Sequence, residues 1–387
     1  MSTATVSALA ILLAFGLDLW RGEPPARFHP VVWMGQYLER AGRLIAPVFI
    51  TVRNPGDVHA SGPTSPADMR EMPDATVASG FRSDAVGPTR HEAARHEADC
   101  GGAVAMDAPP VRHSARRQFL SGMAAWLLGA TVCALMATLL QWGIFQLPGW
   151  MAAPLLALCL KPLFAWAMLR DLVARTEIAL QQGLDAGRSQ LAHLVSRNVY
   201  ELDAAGVRES AIETLAENLG DSLVAPLFWF VLFGLPGAAL YRFANTADAM
   251  WGYPGERGGR WWQWAGKWAA RADDVLNWLP ARLTAALLML GAPAALWRRL
   301  PTEARRTPSP NSGWPMSAMA LRLGITLGKP GVYRLNDVAP QPESAHTPWA
   351  IRKAQRVTWI AVLLGMFFLV LQSSVLNNPS HPLIPSV

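Results

Sequence analysis

Residues 208–253 read RESAIETLAENLGDSLVAPLFWFVLFGLPGAALYRFANTADAMWGY and set acidic side chains directly against apolar runs. Glu213, Glu217 and Asp221 recur four residues apart, so a continuous helix would align their carboxylates on one face. Three aligned carboxylates repel one another unless a cation or a basic ligand lies among them. The alternative interpretation is a solvated helix face on which Asp221 is the N-cap of the next helix.

The composition of the whole chain indicates an integral membrane protein. Its 387 residues are 51% hydrophobic and 16% charged, whereas soluble domains carry roughly 25% charged residues. Its 17 tryptophans are typical of side chains that anchor at a bilayer interface. The net charge is +6, but the basic residues lie beside apolar runs and form no separate basic domain. Anionic lipid headgroups or an anionic substrate explain these charges better than nucleic acid does, and we expect a lipid bilayer as a partner and no nucleic acid.

These features predict an all-α fold, a polytopic integral membrane helical bundle with cytoplasmic helical loops. We expect about four to six membrane segments, some of them re-entrant. Residues 1–49 are predicted to form an N-terminal anchor helix and an amphipathic entry segment. Residues 50–118, which nearly lack bulky apolar side chains, are predicted to be a disordered low-complexity insertion. The membrane-embedded catalytic domain is assigned to 119–376 and a flexible tail to 377–387.

The uncharged run 121–160 predicts a hairpin of two membrane helices that turns at Pro148–Gly149. Arginines flank both of its ends, so the positive-inside rule places both ends in the cytoplasm. Lys161 interrupts the second segment, and three interpretations are open. It snorkels, it belongs to a helix that enters off-axis, or it faces a polar site. Residues 357–375 form the clearest transmembrane helix.

The central apolar segments allow two topologies. Residues 223–240, interrupted between Gly234 and Gly237, either span the bilayer or fold back as two re-entrant half-helices. Residues 283–297 are uncharged but short for a span. The basic loop between them, 242–282, favours a cytoplasmic location and therefore re-entrant segments.

Two further helices are predicted outside these segments. Asp203 is predicted to cap a helix that Gly220 ends, and residues 307–337 are predicted to enclose one short helix.

Two further polar groups flank the same apolar runs: Arg242, Asn245 and Asp248, and then Asp273, Asp274 and Asn277. Oxygen ligands without His or Cys suit Mg²⁺, which usually bridges to phosphate oxygens. Arginines such as Arg242, Arg257 and Arg282 could clamp phosphate or carboxylate groups by paired hydrogen bonds. Each Asp/Asn pair alone is explained as well by helix capping, but three clusters together favour a shared site.

The sequence also excludes several kinds of site. No P-loop, GxSxG elbow or HExxH motif occurs in it. The cysteines Cys100, Cys133 and Cys159 show no paired spacing, which excludes a disulfide framework and a zinc site built from cysteines.

Five segments carry a resemblance to the CobD/CbiB family of cobalamin biosynthesis, the adenosylcobinamide-phosphate synthases. They are LDLWRGEPPARFHPVVWMGQYLE at 17–39, AGVRESAIETLAENLGDSLVAPLFW at 205–229, LYRFANTADAMWGY at 240–253, RADDVLNWLPARLTA at 271–285 and SPNSGWPMSAMA at 309–320. Together they touch most of the chain outside the insertion. The chain differs from the family pattern at Gly22–Pro25, where GEPP stands for GDPP, and at 217–222, where ENLGDS stands for a motif ending ENTSDG.

The resemblance implies an enzyme of the bacterial inner membrane, multi-pass, with its catalytic loops in the cytoplasm. Such enzymes join the free propionate of adenosylcobyric acid to (R)-1-aminopropan-2-ol or its O-phosphate, giving adenosylcobinamide or its phosphate. Because this amide bond is unfavourable in water, Mg²⁺ and ATP are expected, with activation of the carboxylate through an acyl phosphate. Whether the amine arrives phosphorylated stays open, as does a complex with other late cobalamin-assembly enzymes.

The resemblance also implies positions for the site. The first acidic–amide motif falls on Glu213, Glu217, Asn218 and Asp221, the second on Arg242, Asn245 and Asp248, and the third on Asp273, Asp274 and Asn277. We expect Glu217, Asp221 and Asp248 to be the metal ligands. Arg242, Arg257 and Arg282 are expected on the phosphate side, and Asp18, His29, Ser309, Asn311 and Trp314 on the corrinoid side.

Two readings from other classes compete with the synthase. A non-catalytic membrane sensor of the AmpE-like type would need the apolar scaffold but neither the three polar clusters nor the SPNSGWP segment. A membrane phosphotransferase using Mg²⁺ would need the DG-x₂-AR…G-x₃-D-x₃-D pattern, which the sequence lacks.

Overall fold

The computed structural model describes residues 1–48, 114–195 and 198–376, and these residues form a helical bundle. The predicted disordered segment and tail lie outside the described residues, except that residues 115–118 are already helical. The helices are α1 (Thr3–Arg21), α2 (Pro30–Ile45), α3 (Ala115–Phe145), α4 (Gly149–Leu160), α5 (Trp166–Gln182), α6 (Leu184–Leu191), α7 (Ala204–Leu219), α8 (Ala225–Trp251), α9 (Lys267–Leu276), α10 (Trp278–Met289), α11 (Ala294–Ala304), α12 (Gly313–Leu323) and α13 (His346–Leu376).

Five helical stretches are long and apolar enough to cross a membrane, which confirms the predicted fold class. They are Thr3–Arg21, Ala115–Phe145, Gly149–Gln182, Ala204–Trp251 and His346–Ser374. Large apolar side chains stay exposed along α3 and α13, as expected for surfaces that face lipid. On its inner side α3 approaches the rest of the bundle through glycine. A Cβ at Gly129 would overlap the rings of Phe243 and Tyr37, and one at Gly122 would overlap the carbonyl of Ala265.

The bundle has one charged and one uncharged end. No Asp, Glu, Lys or Arg occurs in residues 2–17, 118–160, 222–241 or 357–387. The turn between α3 and α4 lies beside the start of α1, because a Cβ at Gly149 would be 3.0 Å from the side chain of Met1. The middle of α8 lies at the same end of the bundle. Helix α13 also contacts α8 there, with Gly365 packed against Val231. The charged residues of the bundle therefore gather at the opposite end.

Helix α8 folds back on itself at Gly234 instead of continuing as one straight helix. Gly234 has φ 67° and ψ −155°, a conformation that interrupts the helix and suits only glycine. The arms before and after it pack against each other, since a Cβ at Gly237 would overlap the carbonyl oxygen of Trp229. The arm from Ala225 to Phe233 is roughly 14 Å long, against roughly 30 Å of hydrocarbon. The structure therefore shows the folded-back arrangement of 223–240, and its re-entry into a bilayer stays a prediction.

At the tip of this hairpin, a backbone N–H that has lost its helical partner donates a hydrogen bond to a side chain of α3. The amide N–H of Leu235 donates to Oε1 of Gln141 over 2.6 Å. An unpaired N–H in hydrocarbon is costly, and non-helical backbone persists there only where a neighbour satisfies it. Gln141 therefore stabilises the turn of the hairpin.

The α-helix that Asp203 caps ends at Leu219, directly before Gly220, as predicted. Asp203 accepts a hydrogen bond from the N–H of Gly206, as predicted. The chain then continues from α7 through a π-helical turn, Gly220–Val224, into α8. Gly220 has ordinary helical torsions, and its Cβ position lies 3.4 Å from the side chain of Thr284 in α10, an ordinary packing contact. The wider turn rotates the positions that follow it.

The uncharged segment 283–297, which is short for a span, is divided between two helices. Helix α10 ends at Met289 and α11 begins at Ala294, with Gly291 at φ 71° between them. Residues 307–337 contain the expected short helix α12 and, in addition, a β-hairpin of β3 (Leu327–Lys329) and β4 (Tyr333–Leu335). A smaller hairpin, β1 (Glu256–Arg257) with β2 (Arg260–Trp261), follows α8.

Candidate active site

Asp221 and Asn277 join two of the predicted clusters directly. The amide Nδ2 of Asn277 donates to Oδ1 of Asp221 over 2.5 Å. Asn277 follows the last residue of α9 and is 3% exposed. The indole N–H of Trp229 donates to the carbonyl of Leu276 over 3.1 Å. This hydrogen bond holds the end of α9 against the arm of α8 that precedes Gly234. The π-helical turn and the end of α9 therefore form one wall of a common site.

Arg242 lies at the centre of the site. It is 2% exposed, and its Nη1 donates to Oγ of Ser222 over 3.3 Å and to Oδ1 of Asn245 over 3.5 Å. The carboxylates whose charges act on it are those of Glu23 and Asp221. A buried guanidinium needs such opposite charge to offset its desolvation. Because α8 folds back, Arg242 lies beside the π-helical turn, where Asp221 supplies this opposite charge.

Asp273 completes an acidic group with Asp221 and Asp248. Burial raises the pKa of Asp273 well above its ordinary value, and the charges of Asp248, Asp221 and Asp274 raise it further, against a hydrogen bond from Asn245. Oδ1 of Asp273 and Oδ1 of Asn277 are buried without a hydrogen-bond partner among the described residues. A cation reaching these oxygens would satisfy them and relieve the repulsion.

The acidic group is not a ready-made metal centre. Within residues 1–48, 114–195 and 198–376 no three His, Cys, Asp or Glu side chains are arranged to hold a metal ion. Glu217, the third expected ligand, is half-buried one turn before Asp221. Mg²⁺ that arrives with a nucleotide needs only one or two carboxylates, since phosphates and water supply the remaining ligands. The unpartnered oxygens and the all-oxygen donor set fit Mg²⁺ that is bound together with a nucleotide.

A buried ionic network lies beside Arg242. Nζ of Lys161 is 3.0 Å from Oδ1 of Asp18 and 2.9 Å from Oε1 of Glu23. Asp18 also accepts from the N–H of Ala167 over 2.8 Å, and Nε2 of His29 is 3.2 Å from Oε2 of Glu23. The third interpretation of Lys161 is the correct one: it faces a polar site. The tight geometry offsets the desolvation of these charges.

Glu23 links this network to Arg242. Burial alone would raise the pKa of the Glu23 carboxyl, but the hydrogen bond to His29 and the charge of Lys161 hold it below its ordinary value. Ser222, the hydrogen-bond acceptor of Arg242, also accepts the N–H of Ala165 through its carbonyl over 3.1 Å. The two charged groups therefore form one continuous site.

Sequence reasoning missed Glu23 and Lys161 as site residues, although it identified Asp18 and His29. Two signals were present: a lysine inside an apolar segment, and the acidic residue of the Gly22–Pro25 motif. Their pairing joins positions more than a hundred residues apart, which helical periodicity does not reveal.

The SPNSGWP segment lies next to the acidic group. Nδ2 of Asn311 donates to the carbonyl of Asp274 over 2.8 Å, and Oγ of Ser309 accepts the N–H groups of Asn311 and Ser312. Arg282 donates to Oδ1 of Asn311 and to the carbonyl of Pro310, and its guanidinium lies over the rings of Trp278 and Trp314. These contacts engage Arg282 in holding the turn, and its phosphate-binding role stays a prediction.

The remaining candidates contact other parts of the fold. Glu213 accepts a hydrogen bond from the hydroxyl of Tyr333 in β4 over 2.9 Å. Asn218 donates to the carbonyl of Thr214 within α7, but its Oδ1 also accepts from Oγ of Ser222 over 3.4 Å, which keeps it next to the site. Arg257 donates to the carbonyl of Ala249 and lies over the ring of Tyr253 at 3.8 Å. Glu213 and Arg257 thus make their hydrogen bonds away from the site. The structure brings together the candidates Asp18, His29, Asp221, Arg242, Asn245, Asp248, Asp273 and Asn277.

The fold and the site define a multi-pass helical membrane protein whose buried charged site is built around the hairpin of α8. The family model described as CobD/Cbib protein matches residues 94–360. The chain belongs to the CobD/Cbib family.

Two relatives illustrate this membership. The probable cobalamin biosynthesis protein CobD of Thermococcus kodakarensis is 34% identical over 362 residues, which cover 93% of this chain and 94% of the relative. The cobalamin biosynthesis protein CobD of Chromobacterium violaceum is 39% identical over 264 residues, covering 64% of this chain and 82% of the relative. No solved structure matches the chain.

Proposed function

We propose that this protein acts in cobalamin biosynthesis as an adenosylcobinamide-phosphate synthase. It would form an amide between the free propionate of adenosylcobyric acid and (R)-1-aminopropan-2-ol or its O-phosphate. Family membership supports the pathway. The observation that carries the chemical proposal is that the partly buried Asp221 and Asp273 lie with the buried Asn277 and Arg242 beside unpartnered oxygens.

The reaction needs an activated carboxylate because an amine and a carboxylate do not condense favourably in water. In the proposed reaction the propionate oxygen attacks the γ-phosphorus of ATP and ADP leaves. The amine then attacks the acyl carbon, loses a proton and expels inorganic phosphate. Positioning and charge stabilisation dominate such phosphoryl transfer, and these are what buried carboxylates and a buried guanidinium supply.

The residues take separate roles in this proposal. Mg²⁺ would neutralise phosphate charge, held through Asp221 and Asp248 with Glu217 nearby. Asn277 holds the Asp221 carboxylate in place by its hydrogen bond. Arg242 faces the transferred phosphate, kept in position by Ser222 and Asn245. Asp18, His29 and the SPNSGWP segment are assigned to the corrinoid side.

We propose an orientation in which the charged end of the bundle lies in the cytoplasm. The end of α3, the start of α4 and the middle of α8 meet at the opposite, uncharged side, and arginines flank the charged end, as the positive-inside rule requires. This orientation opens the site to the compartment that contains ATP. In a bacterium the membrane concerned is the inner membrane.

The test is amide formation in membranes that contain the protein, supplied with adenosylcobyric acid, Mg²⁺–ATP and either form of the amine. We expect an ATP-dependent corrinoid product that is lost in Asp221→Ala. The matched control is Asp185→Ala, because Asp185 is exposed at the start of α6. Product from both variants would keep the reaction but remove Asp221 from the site. No product from the unmodified protein with either amine would overturn the synthase and favour the sensor.

A further inference from the structure

A group of three cations lies between α12 and α13 outside the site described above. Arg322 is in the last turn of α12, and Lys353 and Arg356 are one turn apart on α13. Lys353 is within electrostatic range of both arginines. No ion pair connects these three side chains to a carboxylate in the part of the chain that the structure describes.

The cluster is incomplete as it stands. Like charges in close range repel one another, and here no acidic side chain compensates them. In addition, Nε of Arg322 is buried and has no hydrogen-bond partner among the described residues. A buried donor without an acceptor is rare in folded proteins and indicates an absent partner. An anion with several acceptor oxygens would satisfy both requirements.

The cluster lies at the level of lipid headgroups. Trp359, one turn after Arg356, packs edge-on against Phe15 of α1 with ring centroids 4.8 Å apart. Phe15 is one turn before the exposed Trp20, and Trp349 is exposed on the other side of the cluster. Exposed tryptophans mark the interface of a bilayer. The lipid-facing side chains of α13 begin farther along, at Leu363.

We propose that Arg322, Lys353 and Arg356 form a binding site for a phosphate group, carried by the headgroup of an anionic lipid. Guanidinium groups match phosphate oxygens by paired hydrogen bonds, and an ammonium adds a compact charge. The apolar surface of α13 below the cluster would hold the acyl chains of the same lipid. This site would couple the packing of α12 against α13 to the lipid composition of the membrane.

The experiment uses the full-length protein in nanodiscs, comparing phosphatidylglycerol with phosphatidylcholine by the lipid retained on extraction and native mass spectrometry. We expect preferential retention of phosphatidylglycerol. Each cation removed should weaken it roughly fivefold, so Arg322→Gln/Lys353→Gln should weaken it roughly 25-fold. The control is Arg298→Gln/Arg305→Gln, which removes equal charge from exposed positions of and beside α11. Because Arg322 is partly buried, the single exposed change Arg356→Gln provides a second test.

A competition arm distinguishes the source of the phosphate. If soluble glycerophosphate displaces phosphatidylglycerol from the unmodified protein, the site takes free phosphate compounds as well. If it does not, the lipid is the ligand. Either result supports a phosphate site. Equal retention by the unmodified protein, the cluster variants and the control, or no preference over phosphatidylcholine, would overturn the proposal.

Discussion

Ser222 and Arg242 are twenty residues apart in the sequence, yet Nη1 of Arg242 lies 3.3 Å from Oγ of Ser222. In an unbroken helix that separation would be roughly 30 Å. The contact exists because α8 reverses at Gly234, and it places a guanidinium beside the carboxylate of Asp221. The site therefore depends on the geometry of one glycine.

Gly234→Ala should destabilise the protein, because alanine at φ 67° is strained by about 1–2 kcal/mol. The added methyl would also meet the side chain of Gln141, which must then move away from the N–H of Leu235. We expect a lower thermal midpoint in detergent and lower activity. Gly16→Ala is the control, since Gly16 is helical and has no neighbour within 4 Å of its Cβ position. Equal midpoints for the two variants would contradict this account of the hairpin.

Lys161→Met should be strongly destabilising, because it leaves Asp18 and Glu23 buried without their cation. Removing one partner of a buried pair typically costs about 3–5 kcal/mol. Asp18→Asn in the same chain should restore part of the loss, giving a coupling energy of about 1 kcal/mol or more. Thermal midpoints of the single and double variants measure it, with Lys267→Met as the control. Strictly additive effects would mean that the pair contributes nothing beyond its separate side chains.

Asn277→Leu should lower amide formation at least about tenfold while leaving the amount of protein in the membrane unchanged. The change removes the donor to Asp221, so the carboxylate loses its fixed position. A positioning role predicts that the KM for Mg²⁺–ATP rises along with the fall in kcat. Asn198→Leu, at an exposed position, is the control. Unchanged kinetics would show that Asp221 is held by other contacts.

Stability should depend on pH through Glu23. The folded-state pKa of Glu23 lies below its ordinary value of 4.5. A carboxyl of this kind contributes stability above the unfolded pKa and loses it as the pH falls through the folded value. We therefore expect the thermal midpoint to fall on acidification below about pH 4.5, and to fall less steeply in Glu23→Gln than in the exposed control Glu343→Gln. The same slope in both variants would exclude Glu23 as the titrating group.

Much of the architecture could be predicted because it follows from local pattern. Uncharged runs and their flanking arginines indicated the α3–α4 hairpin, and the Gly234–Gly237 interruption suggested re-entry. Asp203 was recognisable as a helix cap from its position alone. The three polar clusters were visible because acids and amides are rare beside apolar runs.

What could not be predicted depends on contacts between distant positions. The π-helical turn at Gly220–Val224 packs against Thr284 of another helix, and no spacing within α7 indicates it. The partners of Lys161 lie in the first 23 residues, and those of Glu213 and Asn311 lie in a different hairpin and a different helix. Sequence periodicity describes which face a residue occupies but not what that face meets.

The residues that stabilise the hairpin of α8 and the buried cations are synthesised before the groups that they contact. The chain is made from its N-terminus, so Gln141 is in place before Gly234 and Leu235 leave the ribosome. The acids that act on Arg242, Glu23 and Asp221, also precede it, and both acids that bind Lys161 precede that lysine. Each cation of the buried site is thus synthesised after the acids that compensate its charge. The order of the sequence provides the counter-charge of each cation before the cation itself is made.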